Sequence, residues 1–282
     1  MIGIIDVGGG LRGIYGAGVF DRCIDDNIKF DYCIGVSAGS ANAITYLAGQ
    51  KGRTYRFYHD YSSRKEYMSL GNFLKVGQYI DLDYVYGTMT NTGGEDPLDF
   101  NAVLKNDGKL TVVTTNAQNG DPIYFTKDDF IIDDYRILKA SSSLPVVCKS
   151  YEINGIPCYD GGIADPVPID KALADGCDKI VLVLTRPADT PRVAGKDDNA
   201  AKLLRKKYPA IAEKLTARYA VYNNCVEKAK QLEKEGKCLI IAPDDLCGLN
   251  TLTKDKEKLD IFYKKGYNDA EKIKDFFLTL SE

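Results

Sequence analysis

Residues 30–49 read FDYCIGVSAGSANAITYLAG and contain the stretch that decides the fold. An apolar run ends in Gly-Val-Ser-Ala-Gly, and a helical pattern follows at once. Glycines at Gly35 and Gly39, two residues to either side of Ser37, suit a tight turn from a strand into a helix, where larger side chains would clash. We therefore interpret residues 35–39 as a nucleophile elbow that exposes the hydroxyl group of Ser37.

Apolar strands and helical patterns alternate around this turn. IGIIDV at residues 2–7 precedes a helical pattern at 13–26, and KIVLVLT at 179–185 is a further strand. These strands are apolar throughout, which is typical of a parallel sheet covered on both faces. LTVVTTNAQ and IYFT, on either side of an Asn-Gly-Asp-Pro turn, predict a hairpin at 110–126. The sequence therefore predicts an α/β fold with a mainly parallel central sheet.

The C-terminal third of the chain has a different pattern. We predict a core domain over residues 1–190 and a mostly helical extension over 191–282, joined by PADTPRVAGKDDNA. The extension contains one strand, CLIIAP, that could rejoin the main sheet, and a final helical stretch at 254–280 with a break at Gly266. We interpret the extension as support for the sheet, with a lid, a dimer contact or an acyl-chain wall as alternatives.

Composition excludes several function classes. The net charge is −3, with lysines and acids interspersed, so the chain offers no basic surface to nucleic acid. Eight cysteines without a Cys-x-x-Cys pair, and His59 as the single histidine, argue against a zinc site. No metal is therefore expected.

The same sequence predicts a cytoplasmic protein. Residues 2–7 read as a buried strand with no basic segment before them, so we expect no signal peptide and reduced thiols. No apolar run approaches the roughly 20 residues that a transmembrane helix needs. Contact with a membrane would therefore be peripheral.

The glycines at residues 8–13 have the Gly-x-Gly-x-x-Gly spacing of a dinucleotide-binding turn. Such a site also needs an acidic residue at the end of the second strand, to bind the ribose. Asp31 lies at the start of that strand, and the elbow occupies its end. We therefore keep nucleotide binding only as a rival hypothesis.

A serine nucleophile requires a base that accepts its proton. His59 follows the elbow too closely for the Ser, Asp, His order of α/β-hydrolases, so that triad is excluded. His59 is interpreted mainly as a surface or packing residue, with a Ser-His pair of another order as the alternative. Otherwise the base is a carboxylate, a lysine or the N-terminal amine. Asp160, in CYDGGIADPVP, is the most prominent acid, and a plain Asp-Gly turn between strands is the alternative interpretation.

Three motifs in order, GGGLRG at 8–13, GVSAG at 35–39 and DGG at 160–162, resemble the patatin-like phospholipase family. The resemblance covers about residues 2–186, and the extension looks like that of a bacterial subgroup. It implies a three-layer α/β/α fold and a Ser-Asp dyad, with Ser37 as nucleophile and Asp160 as base. The implied activity is hydrolysis of a lipid or other acyl ester through an acyl-enzyme, without a cofactor.

The resemblance also gives roles to the motif glycines, because the N–H groups of Gly8, Gly9 and Gly10 would form the oxyanion hole. Arg12 would stabilise this loop or the charge near it, or bind an anionic head group; an ion pair that ties the helix start to a carboxylate is the alternative. The remaining motif positions are turn glycines: Gly13, Gly35, Gly39, Gly161 and Gly162.

Two rival functions use the same motifs: an acyltransferase with the same dyad, and a catalytically idle lipid-binding protein. The tyrosine-rich segment at residues 55–86 is interpreted mainly as core and edge packing. A lid that meets a membrane surface is the alternative for this segment.

Overall fold

The computed structural model describes residues 1–278, which form an eight-stranded sheet flanked by helices. The strands are β1 Ile2–Asp6, β2 Tyr32–Val36, β3 Lys109–Asn116, β4 Pro122–Thr126, β5 Tyr151–Ile153, β6 Ile156–Asp160, β7 Lys179–Val183 and β8 Cys238–Ile241. The helices are α1 Ile14–Asp25, α2 Ala38–Leu47, α3 Arg53–Arg56, α4 Leu70–Val76, α5 Phe100–Lys105, α6 Arg136–Ser141, α7 Ile169–Ala174, α8 Asp198–Leu204, α9 Pro209–Lys234, α10 Lys256–Asp269 and α11 Glu271–Leu278.

The strand order is β5-β6-β3-β2-β1-β7-β8, with β4 paired to β3 outside this path. Strands β3, β2, β1, β7 and β8 run parallel, whereas β4, β5 and β6 pair antiparallel to their neighbours. The predicted α/β fold with a mainly parallel sheet is therefore confirmed, as is the β3–β4 hairpin.

Neighbouring residues of the central strands contribute to cores on opposite faces of the sheet. Ile4 packs with Ile14 of α1, Ile44 of α2 and Phe262 of α10. Ile5 packs on the other face, where α7 and α9 supply the apolar cover. Because both faces are covered, the strands are apolar at every position, as the sequence indicated.

The register of β3 places the end of β6 directly beyond the end of β2. Val113 pairs with Val36, the last residue of β2, and the next residue, Thr114, pairs with Asp160, the last residue of β6. Both Val113 and Thr114 also pair with β4, which occupies the other edge of β3. Asp160 therefore follows Val36 along the same edge, next to the start of α2.

The C-terminal region shares the sheet and the core of the rest of the chain. Strand β8 pairs with β7, and α10 crosses α1 where each helix has a glycine. A Cβ on Gly266 would collide with the carbonyl oxygen of Tyr15, and one on Gly18 with that of Tyr263. Gly266 therefore lies within α10 and allows this helix to pack closely against α1, so the predicted helix break at Gly266 is wrong. Residues 279 and 280 of the predicted helix lie outside the described residues.

We expect Gly266→Ala to lower the free energy of unfolding by about 1–3 kcal/mol, because overpacking outweighs the better helix propensity of alanine. Gly71→Ala is the matched control, since Gly71 also lies in a helix but a Cβ there meets only Ser69 Oγ at 3.6 Å. That variant should gain up to about 1 kcal/mol. Urea unfolding of both variants measures the difference, and equal effects would contradict the close helix crossing.

The tyrosine-rich segment is mostly part of the core. Tyr58, Tyr61, Tyr67 and Tyr86 are buried, which favours the interpretation as core packing. Helix α4 differs, because it exposes large apolar side chains to solvent: Leu70, Phe73, Leu74 and Val76.

Candidate active site

Ser37 lies between β2 and α2 with φ 58° and ψ −130°, a backbone conformation that non-glycine residues rarely adopt. Its N–H donates to Ser141 Oγ at 3.0 Å, and that hydroxyl donates to Val113 O at 2.7 Å. A Cβ on Gly35 would collide with the backbone of Ser40, and one on Gly39 with that of Asp6. The turn therefore has the geometry of a nucleophile elbow.

Asp160 lies at the end of β6 with 1% of its surface exposed. Its Oδ1 atom accepts a hydrogen bond from the N–H of Gly162 at 2.8 Å. Its Oδ2 atom is buried and has no hydrogen-bond partner among the described residues, while the Ser37 hydroxyl is near enough to lower the pKa of the carboxyl group. One oxygen of this carboxylate is therefore positioned by the backbone, and the other remains available to take up a proton.

The environment of Asp160 raises its pKa above the ordinary value of 3.8. Burial is the main cause, because a carboxylate loses its hydration in the protein interior. Three groups oppose this rise in the pKa of Asp160. The charge of Arg218 lowers the pKa most, followed by the hydrogen bond of the Ser37 hydroxyl and then by that of the Gly162 N–H. A raised pKa makes this carboxylate a stronger base than an exposed aspartate.

The glycine loop after β1 lies against the elbow. Gly8, Gly9 and Gly10 have φ values of 63°, 134° and 62°, which favour glycine over any other residue. The N–H of Gly8 donates to Asp6 Oδ1 at 2.8 Å. In the described part of the chain, the N–H groups of Gly9 and Gly10 have no acceptor. The predicted three-donor oxyanion hole thus differs from the structure at Gly8, whose N–H is already used.

Arg12 follows the glycine loop and has no carboxylate partner among residues 1–278. Its Nε atom is buried and unpaired, and burial lowers the pKa of its guanidinium group, as do the charges of Arg186 and Arg218. The interpretation of an ion pair at the helix start is therefore wrong.

Gly13 allows close packing at the start of α1, because a Cβ on Gly13 would lie 2.8 Å from both the Cβ of Ala38 and the hydroxyl of Tyr58.

The side chain of His59 contacts Asp60 and Tyr55. Its Nδ1 atom is 2.7 Å from Asp60 Oδ1, and its ring stacks on Tyr55 with the centroids 4.9 Å apart. The eight cysteines are free thiols. Within residues 1–278, no group of three or more His, Cys, Asp or Glu residues could hold a metal ion.

A family model described as Patatin-like phospholipase matches residues 7–173, more than half of the chain. The chain belongs to the patatin-like phospholipase family. A second model, described as a domain of unknown function (DUF6363), matches residues 208–279. The patatin-like match contains all three sequence motifs, and the second match lies within the predicted extension.

Relatives of this patatin-like protein include an uncharacterized protein, YjjU, of Escherichia coli K12, which is 31% identical over 194 residues. That match covers 66% of this chain and 52% of the relative, so the chain spans about half of its length. Lysophospholipase NTE1 of Saccharomyces cerevisiae is 26% identical over 252 residues, which cover 81% of this chain and 14% of the yeast protein.

The fold also matches a solved structure. VipD from Legionella pneumophila superposes with a TM-score of 0.54 at 14% identity, covering 97% of this chain and 66% of the other. This likeness supports the fold alone. Within the described residues, no helix is both long enough and apolar enough to cross a membrane.

Asp6 is a site residue that the sequence analysis missed. It is fully buried at the end of β1, and its carboxylate accepts from the N–H of Gly8 and from Asn42 Nδ2, each at 2.8 Å. Asp6 therefore connects the glycine loop to α2. The sequence contains a signal for this role, because Asp6 is a charged residue within the otherwise apolar run IIDVGGG.

Burial raises the pKa of Asp6 to about 6, from an ordinary value of 3.8. The folded state thus binds an extra proton between these values, so this group's contribution to stability is largest below pH 3.8 and is lost as the pH rises through about 6. From pH 7 to pH 5 we expect Asp6 to add about 1 kcal/mol to the free energy of unfolding.

Urea unfolding of the wild type and of Asp6→Asn at both pH values measures this contribution. The asparagine variant should show about 1 kcal/mol less gain on acidification, because it does not titrate. Equal gains in the two proteins would contradict the raised pKa.

Proposed function

We propose that this protein is a serine hydrolase that cleaves the acyl ester of a phospholipid, a lysophospholipid or another lipid. The observation that carries the proposal is the juxtaposition of Ser37, held in an elbow, with the buried Asp160 and its unpaired Oδ2 atom. Membership of the patatin-like family and the name lysophospholipase on the yeast relative support a lipid substrate.

The proposed reaction begins when Asp160 takes the proton of the Ser37 hydroxyl, whose oxygen attacks the ester carbonyl carbon. The π bond of the carbonyl group breaks, and its negatively charged oxygen accepts hydrogen bonds from the N–H groups of Gly9 and Gly10. When the intermediate collapses, the C–O bond to the alcohol breaks and Asp160 returns the proton to the leaving oxygen. The acyl group is then bound to Ser37.

The second half of the reaction repeats these roles with water as nucleophile. Asp160 accepts a proton from water, the hydroxide oxygen attacks the acyl-enzyme, and the fatty acid leaves as Ser37 regains its proton. Gly8 acts indirectly in this scheme, because its N–H is bound to Asp6 and fixes the shape of the loop.

Peripheral contact with a membrane and a cytoplasmic location stay predictions. The apolar side chains that α4 exposes, Leu74 above all, would suit contact with a lipid surface.

Intact-protein mass spectrometry after reaction with a fluorophosphonate tests the proposed nucleophile. We expect one adduct on the wild type and none on Ser37→Ala. A folded wild-type protein that stays unlabelled would contradict the mechanism and favour a lipid-binding protein without activity. Product analysis with an added alcohol then distinguishes hydrolysis, which releases fatty acid, from acyl transfer, which forms a new ester.

A further inference from the structure

Four arginines from distant parts of the chain form a cluster of positive charge beside the site, and within it Arg186 Nη2 donates to the carbonyl oxygen of Pro191, at 3.5 Å. Arg12 follows the glycine loop, Arg186 and Arg192 lie in the segment after β7, and Arg218 lies in α9. The Nε atoms of all four are buried and have no hydrogen-bond partner in the described chain. The nearest ion pair joins Arg218 to Asp197 at 3.7 Å, a long contact that leaves most of this positive charge uncompensated.

The cluster borders both parts of the proposed catalytic machinery. A Cβ on Gly9, in the proposed oxyanion hole, would lie 3.2 Å from Nη2 of Arg12. A Cβ on Gly162, which positions Asp160, would lie 3.0 Å from Nη2 of Arg218. An anion bound by these guanidinium groups would therefore lie next to the ester that Ser37 attacks.

The guanidinium groups are held in place by α9. Arg192 stacks over the ring of Tyr222 at 4.0 Å, and Arg186 lies 5.8 Å from the same ring. The side chain of Asn223 binds the backbone of Arg192 on both sides, accepting from its N–H at 2.8 Å and donating to its carbonyl oxygen at 2.9 Å. The cluster is therefore a built arrangement rather than a group of mobile surface side chains.

Such an arrangement is unfavourable without an anion. Burial, together with the charges of Arg218 and Arg186, lowers the pKa of Arg192 to about 9. Asp160 supplies one negative charge, but its carboxylate is needed as the base. A guanidinium group presents N–H donors in a planar fork that matches the oxygens of a phosphate group.

We propose that Arg12, Arg186, Arg192 and Arg218 bind the phosphate group of an anionic lipid substrate. The proposal rests on the proposed function and specifies its substrate class. It also gives the C-terminal region a role in recognition, because Arg218 and Tyr222 lie in α9, within the match to the domain of unknown function.

The test compares two substrates with the same acyl chain, 1-acylglycerol 3-phosphate and 1-acylglycerol. The wild type should prefer the phosphate ester, and Arg186→Gln and Arg192→Gln should each reduce that preference in kcat/KM by about 10- to 100-fold, mainly through KM, which is the range for one charge-assisted hydrogen bond. Arg205→Gln, at an exposed arginine of the same region, should leave both rates unchanged. An unchanged preference in all variants would overturn the proposal.

Inorganic phosphate distinguishes a free anion from a lipid head group. If phosphate raises the Tm of the wild type but not that of Arg192→Gln, while the two substrates are cleaved equally, the cluster binds free phosphate and the head-group assignment is wrong. If phosphate protects the wild type but neither substrate is cleaved, the anion site stands and the proposed hydrolase function fails. No protection and no preference would reject both sources.

Discussion

Replacement of Ser37 by alanine should lower kcat for an acyl ester by about 10⁴–10⁶-fold, because no acyl-enzyme can form without the hydroxyl. The residual rate would come from substrate binding and from the N–H groups of Gly9 and Gly10, which the substitution leaves in place. The protein should still fold, since alanine retains the Cβ that the turn already accommodates and removes only the oxygen.

The measurement is the steady-state rate on a soluble ester and on a lysophospholipid, with circular dichroism to verify the fold. Ser63→Ala serves as control, because its hydroxyl is exposed and bonds only to the carbonyl oxygen of Asp60. A Ser37→Ala variant with near-normal turnover would mean that another group carries the chemistry and that the elbow has a structural role.

The elbow could be predicted from the sequence because its requirements are local. Gly35 and Gly39 stand where any side chain would strike the neighbouring backbone, so the glycine spacing around Ser37 records the geometry of the turn itself. The apolar strand and the helix on either side follow from the same short stretch. Local backbone sterics thus determine the position of Ser37, the proposed nucleophile, almost independently of the rest of the chain.

The proposed pairing of Ser37 with Asp160 depends on contacts between segments that are distant in the sequence. It requires β2 and β6 to meet the same edge of β3, one after the other, and nothing within either segment encodes that register. The family resemblance supplied the pairing that local reasoning left open. No sequence pattern marks Arg192 or Arg218 as part of the site, because each is a single arginine in a polar stretch that folding brings there.

Two errors had local causes. Gly266 suggests a helix break because glycine destabilises helices, but its missing side chain is what lets α10 approach α1. The β5–β6 hairpin was missed although Asn154 and Gly155 form its turn with φ values of 51° and 78°. That Asn-Gly pair is a strong hairpin signal, which the short flanking strands concealed.

Replacement of Asp160 by asparagine should lower kcat/KM by about 10²–10⁴-fold, the usual contribution of a general base. The amide oxygen can still accept the N–H of Gly162, so the turn is retained, but an amide cannot take the proton of Ser37. In the wild type, kcat/KM should fall as the pH drops through the raised pKa of Asp160, because only the carboxylate acts as base.

The pH profile of Arg218→Gln identifies which carboxylate controls this acidic limb. The charge of Arg218 is the strongest influence holding the pKa of Asp160 down, so its removal should move the limb to higher pH. Asp6 also has a raised pKa, but burial causes that shift and the hydrogen bonds from Asn42 and Gly8 oppose it, so removal of the Arg218 charge should leave the pKa of Asp6 in place. A limb that stays in place in Arg218→Gln would therefore assign the titration to Asp6 and remove the kinetic support for Asp160 as the base.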